Sequence, residues 1–375
     1  MNFAALTDYL DHLDERFGVP AADCAVYRDG RLAYRHMAGY SDAARTKPLT
    51  ENTMYWVYSA TKLYTCTAAL QLVERGLVGL DDPVCKYIPE FAAPLVKAEG
   101  GLVPAERQIT VRHLFTMTAG LNYDIATPAI VTLKKCTGDR ATMRAVINAI
   151  AEAPLDFQPG SHFQYSLCHD VLAEVIAVVS GMKFEEYVAA HLIRPLGGKD
   201  ACFFPTDEQY ARFCAQYRYD EQSGIMTDIG LHNFTRICPT YAAGGGGLAA
   251  TVQDYALLPV ALSNYGLAQN GYRVLNPETV ELMRKNHMAG VTQADFNRMK
   301  PAEYGYGLGV RTRIGGASHC PAGEFGWDGA AGFYTLVDTV NRVAVAHAQH
   351  VVDYELTYDV MHPAIRELIY EGLGL

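Results

Sequence analysis

Several features that mark familiar protein classes are missing from this chain of 375 residues. None of the nine cysteines forms a C-x-x-C pair, and their number is odd. Scattered single thiols exclude a disulfide framework and argue against a zinc-ribbon site, and they fit a reducing compartment. The twelve histidines include no H-E-x-x-H, so no metal and no other cofactor is expected. No basic block interrupts a net charge of −10, which argues against nucleic acid and against membrane surfaces as partners. No apolar run reaches the length of about 18 residues that a bilayer requires. The opening segment MNFAALTDYLDHLDERFG patterns as an acidic amphipathic helix. It lacks the basic start and apolar core of a secretory leader, so a cytoplasmic protein is expected. Internal repeats and low-complexity stretches are absent as well.

What is present is a large apolar fraction, 50% of residues, enough for an extensive core. The most informative stretch is Met54 to Gly76, with Ser59-Ala60-Thr61-Lys62 at its centre. Apolar residues at Leu63, Leu70 and Val73 and a stop at Gly76 predict a helix beginning near Ser59. On such a helix Ser59 and Lys62 sit one turn apart on one face, so the amine reaches the hydroxyl. A free serine hydroxyl is a weak nucleophile and needs an adjacent base. An amine serves as that base when burial or the positive start of a helix favours its neutral form. By itself this four-residue pattern is weak, since an N-cap serine followed by a solvated lysine has the same spelling.

The remaining elements suggest how the stretch is housed. A first helix, about Phe3 to Arg16, leads to Cys24–Arg28 and Arg31–Arg35, two short runs flanking Asp29-Gly30 that read as a β-hairpin. Near the other end, Tyr306–Thr312, Gly332–Asp338 and Arg342–His347 are β-branched or aromatic runs, and a final helix spans about Asp353 to Glu371. Between them the pattern is mostly helical, with helices near Thr110–Gly120, Asp139–Ala151, Val171–Ser180, Phe184–Leu192, Val252–Ser263 and Pro277–Lys285. The segment Thr206–Tyr241 reads as an irregular lid or insertion. The expected class is α+β: residues 1–55 and 300–375 form an antiparallel sheet flanked by terminal helices, and residues 56–299 form an inserted all-α domain carrying Ser59 and Tyr165. Gly244 to Gly247 suggests a phosphate cradle, but no Lys-Ser/Thr follows, so a backbone turn is the better reading. His169-Asp170 invites a Ser-His-Asp triad, yet adjacent residues do not line up as a relay, because the base must bridge nucleophile and acid.

Two further stretches stand in order with the serine: Phe163-Gln164-Tyr165-Ser166-Leu167, and Phe325-Gly326-Trp327-Asp328-Gly329-Ala330. With Ser59-x-x-Lys62 they resemble the three motifs of the serine β-lactamase and penicillin-binding-protein superfamily, and most closely its class C-like branch of family VIII carboxylesterases. Val111–Leu121, Pro195–Gly198, Gly244–Leu248 and Tyr304–Val310 resemble further landmarks of that family, so the likeness covers nearly the whole chain. The resemblance implies that Ser59 is acylated, that Lys62 and Tyr165 move the proton, and that the N–H groups of Ser59 and Ala330 form the oxyanion hole. It also implies that Leu167, Trp327, Asp328 and Gly329 line the substrate site.

Departures from the family pattern point toward esters. Leu167 stands where the amide hydrolases carry asparagine, and Trp327 where they carry a lysine that meets a substrate carboxylate. A hydrogen bond to a charged group is worth about 1.5–3 kcal/mol, so its loss disfavours carboxylate-bearing amides. Arg311, or an arginine from Thr206–Tyr241, is a possible replacement for that charge. Asp328, in the middle of the triplet, has no role assigned by the resemblance. The expected protein is a serine hydrolase acting on small or medium acyl esters. The alternatives are a β-lactamase, a D-amino-acid peptidase or D,D-carboxypeptidase, an acyltransferase, or a non-catalytic binding relative.

Overall fold

A computed structural model describes residues 1–375. Its organising strand is β1 (Ala21–Arg28), which pairs on one side with β2 (Arg31–Gly39) through the Asp29-Gly30 hairpin. On its other side β1 pairs with a strand from the far end of the chain. The remaining strands of the sheet are β3 (Tyr304–Tyr306), β4 (Arg311–Arg313), β5 (Phe325–Gly326), β6 (Tyr334–Asp338) and β7 (Val343–Ala348). The sheet order is β2-β1-β7-β6-β5-β4-β3 and every neighbouring pair is antiparallel. The register of β1 on β7 runs from Asp23 opposite Ala348 to Arg28 opposite Val343.

Side chains alternate across this sheet and so build two cores. Cys24, Val26, Leu336 and Val345 face one way, where Leu6 and Leu10 of helix α1 (Ala4–Asp11) and Ile365 and Ile369 of helix α5 (His362–Leu373) cover them. Each such aliphatic side chain contributes about 1.5–3 kcal/mol when fully buried. Ala25, Ala346 and Ala348 face the other way into the larger core, and their small size lets a helix lie close. The terminal helices and antiparallel sheet are those expected from sequence.

The block between residues 56 and 299 is mostly helical but differs from the expected all-α domain in three respects. Helix α4 (Val252–Ser263) packs on β1, β6 and β7, so it belongs with the sheet. The segment Thr206–Tyr241 contains a hairpin, Tyr217–Asp220 with Ile225–Asp228, whose first strand pairs in parallel with Val351–Val352. A second hairpin, Leu95–Ala98 with Gly101–Pro104, lies at the surface. The run 306–312 is two strands rather than one: Gly307 N–H donates to the Val310 carbonyl at 2.7 Å and turns the chain between β3 and β4. Closely spaced glycines weaken a strand and favour such a turn. No helix is long and apolar enough to cross a membrane.

Candidate active site

Ser59 lies in a single turn, Tyr58–Ala60, that opens into helix α2 (Thr61–Glu74). The strand Met54–Trp56 pairs with Ala249–Thr251 and fixes the approach to this turn. From Thr61 to Leu72 every residue of α2 is buried, so the helix has no polar face and is held on all sides. Tyr58, just before Ser59, has φ of +44°, a left-handed conformation that costs a non-glycine residue about 1–3 kcal/mol. Its phenol donates to Gln216 Oε1 at 2.6 Å and its ring stacks on Phe234 at 4.6 Å, which holds the strained residue in place.

Lys62 is completely buried, and all three of its acceptors are neutral oxygens. Nζ donates to Ser59 Oγ at 3.1 Å, to Tyr123 Oη at 3.0 Å and to the Gly245 carbonyl at 2.6 Å. The amine also lies 4.6 Å from the ring centre of Tyr165. Tyr123 was not singled out from the sequence; it is one of 24 tyrosines and no motif marks it. Burial, with Tyr165 beside it, holds the Tyr123 phenol well above its ordinary range, so it stays protonated and acts as a fixed partner of the lysine. The glycine turn also finds its use here. A Cβ on Gly245 would lie 2.6 Å from Asp170 Oδ2 and 3.4 Å from Lys62 Nζ, so only a bare backbone brings that carbonyl to the amine.

The Tyr165 hydroxyl accepts a hydrogen bond from Trp327 Nε1 at 3.0 Å, and the two rings stack at 5.4 Å. Trp327 therefore spends its N–H on Tyr165 rather than offering it to a substrate. Ala330 N–H donates to no protein acceptor and lines the same cleft as Ser59, as the expected oxyanion hole requires. Gly329 runs against the segment that leads to Ser59: a Cβ there would sit 2.2 Å from the Val57 carbonyl. The cleft holds about 490 Å³ and is lined by Ser59, Tyr165, Arg298, Lys300, Trp327, Asp328, Gly329, Ala330 and Tyr358, among others. A larger cavity of about 660 Å³ lies between Arg140–Arg144 and Gly181–Glu185, away from the Ser59–Lys62 pair.

Other expected residues fall elsewhere. Leu167 is not part of the cleft: it is 3% exposed, caps helix α3 (Cys168–Ser180) and packs into the core. An aliphatic side chain gains more there than beside a polar lysine cluster. His169 is buried against Cys66 and the Phe115 carbonyl, and burial drives its pKa down to about 3. Asp170 accepts from the Tyr241 hydroxyl at 2.7 Å. Neither residue forms a relay to Ser59. Arg311 does not supply a free charge: it is buried and bonded to Glu324 at 3.0 Å. In Thr206–Tyr241, Arg212 pairs with Asp200 and Arg218 with Asp353, while Arg236 donates to the Pro239 carbonyl.

The cleft holds Lys300 instead, which donates to Asp328 Oδ2 at 2.7 Å. Arg311 Nη1 lies 3.6 Å and His362 Nδ1 3.8 Å from Asp328 Oδ1. Burial alone raises the Asp328 carboxyl, but Lys300, Arg311 and His362 outweigh it and hold the group well below the usual carboxylate range.

Residues 6–365 match the family model described as Beta-lactamase. Esterase EstB of Burkholderia gladioli is 28% identical over 373 residues, covering 92% of this chain and 89% of that protein. Acyltransferase calJ of Penicillium decumbens is 30% identical over 291 residues, covering 72% of this chain and 67% of its own length. The solved structure of EstCE1, a hydrolase with promiscuous acyltransferase activity, superposes with a TM-score of 0.78 at 23% identity, over 99% of this chain and 98% of that one.

Proposed function

This chain belongs to the beta-lactamase family, and from that premise we propose that it is a serine carboxylesterase working through an acyl-enzyme on Ser59. The observation that carries the reading is the Lys62 amine, buried among neutral oxygens and bonded to Ser59 Oγ at 3.1 Å. An amine with no carboxylate partner is free to trade its proton with the hydroxyl it touches. Ser59 Oγ then attacks the ester carbonyl carbon while its proton passes to the Lys62 amine in its neutral form, and that proton later replaces the one Tyr165 gives up. The N–H groups of Ser59 and Ala330 receive the developing oxyanion, a contribution of about 3 kcal/mol per donor. Tyr165 accepts its hydrogen bond from Trp327, which leaves its own proton to pass to the departing alkoxide. Water resolves the acyl-enzyme by the same path in reverse.

The substrate is a small uncharged ester. Nine free thiols support a cytoplasmic setting. Acyl transfer to an alcohol in place of water is a second reading, favoured by the 30% identity to acyltransferase calJ. It requires no other machinery and is read out as ester exchange when an alcohol is added.

The test pairs labelling with turnover. An active-site phosphonate should add its mass to the peptide containing Ser59, and Ser59→Ala should abolish both label and hydrolysis of a short 4-nitrophenyl ester. A chromogenic cephalosporin should be turned over at least about a hundredfold less well in kcat/KM than the ester. Label on another serine with full activity in Ser59→Ala, or equal efficiency on both substrates, overturns the assignment.

A further inference from the structure

Asp328 sits between Lys300, which lines the catalytic cleft, and the buried Arg311 and His362 behind it, and its surroundings are those of a bound anion. Lys300 donates to one carboxylate oxygen at 2.7 Å, while Arg311 and His362 face the other at 3.6 and 3.8 Å. That second oxygen has no hydrogen-bond donor. The Lys300 amine is flanked by aromatic faces, 5.9 Å from the ring centre of Trp327 and 5.8 Å from that of Tyr358. Lys300, Asp328 and Trp327 all line the cleft with Ser59. The one other cleft cation, Arg298, is 81% exposed and faces Asp295 at 3.5 Å. Glu355 and Asp359 on the same rim add negative charge.

Behind the Lys300–Asp328 pair lies a second cavity of about 380 Å³, sharing Lys300, Asp328, Tyr358 and Asp359 with the cleft. Tyr334 Oη and His362 Nδ1 are buried there without partners. A carboxylate at this point therefore stands between the reaction cleft and a polar chamber.

We propose that Asp328 is a specificity-determining residue, an internal carboxylate that takes up the cleft's Lys300 and keeps out substrates bearing a carboxylate of their own. This inference rests on the esterase reading for its kinetic form only. An incoming anion has to displace a charge-assisted bond and faces like charge while doing so. A neutral ester does neither. Once the charge of Asp328 is removed, Lys300 is left in the cleft lining without its carboxylate partner and is open to a ligand's carboxylate.

The experiment compares two esters of similar length on the full chain: 4-nitrophenyl pentanoate, and the mono-4-nitrophenyl ester of glutaric acid, which ends in a carboxylate. The native chain should favour the neutral ester. Asp328→Asn should shrink that preference in kcat/KM by about 10- to 150-fold, the range for one hydrogen bond to a charged group. Adding Lys300→Met to Asp328→Asn should restore the preference. Asp328→Ser serves as a second variant if the asparagine chain does not fold. An equilibrium arm needs no turnover: pentanoate should quench the fluorescence of Trp327 at about tenfold lower concentration in Asp328→Asn than in the native chain. A preference and a quenching midpoint both within about twofold of native overturn the proposal, as does a gain that survives Lys300→Met. If neither ester is hydrolysed by any variant, the esterase reading fails, and the quenching arm alone decides the role of Asp328.

Discussion

Two lysines belong to the same cleft, Lys300 in its lining and Lys62 behind Ser59, and they have opposite surroundings. Lys62 is fully buried and touches a hydroxyl, a phenol and a carbonyl, with no carboxylate within bonding reach. Lys300 keeps 18% of its side chain exposed and is bonded to the Asp328 carboxylate at 2.7 Å. A carboxylate partner pins a proton on an amine, whereas neutral oxygens leave it able to exchange. On the proposed mechanism, a buried amine is made reactive by what is left out of its shell. A cation at the rim is made inert by the ion it is given.

The sharpest way to break this comparison is to remove each lysine in turn. Lys62→Ala and Tyr165→Phe should each lower kcat by about 10²–10⁴, the range for positioned acid–base groups. The double variant should be little worse than either, because groups acting as a unit are non-additive. Steady-state kinetics on a neutral ester checks this, and independent, multiplying losses would separate the two residues.

Lys300→Met should behave differently. The kcat for the same ester should change by less than about tenfold, because Lys300 holds an ion pair rather than the reacting hydroxyl. Its cost should appear in stability, about 1–3 kcal/mol by urea unfolding, as a buried carboxylate loses its donor. A loss of kcat as large as that of Lys62→Ala would erase the distinction.

Acid sharpens the comparison more gently, because each side carries a buried histidine. His169 lies below Lys62, and burial with the lysine's charge takes its pKa to about 3. Burial likewise lowers His362 beside Asp328, but the carboxylate opposes the fall and leaves it at about 4. The unfolded chain takes up these protons near pH 6.5 and the folded chain does not. Stability should therefore be full above about pH 6.5 and decline as the pH falls toward 4, visible in the thermal midpoint. An NMR titration should find His362 gaining its proton before His169. A midpoint that stays level from pH 7 to 4.5 would contradict this.

Sequence reasoning reached the parts of the molecule whose signal is local. The hairpin at Asp29-Gly30, the helix after Ser59 and the strand pair ending in Val343–Ala348 are written in turn residues and periodicity. Helix Pro128–Thr137 is just as local in its signals, with Thr127 as cap, proline at its start and Gly138 after it. What stayed out of reach depends on packing between distant segments. Tyr123 gains its role only because the turn at Gly245 and helix α2 meet beside it. Leu167 stands at a motif position but turns into the core. Helix α4 has the apolar pattern of any buried helix, and nothing in that pattern says that its partner is the sheet. Asp328 and Lys300 are 28 residues apart, and neither belongs to a pattern that names the other.

The pairing of β1 with β7 has a consequence for how the protein is made. Asp23 lies opposite Ala348, so a strand emerging early from the ribosome finds its second partner more than three hundred residues later. At about 5–20 residues per second that is roughly 15–65 s during which Cys24, Ala25 and Val26 have only the β2 hairpin and the first helix to shield them. Until then the sheet has an open edge at its centre, the kind of surface that pairs with a neighbouring chain. Loss of residues 343–375 would leave that edge open permanently, so a nascent or truncated chain is the form of this protein most exposed to aggregation and most in need of a chaperone.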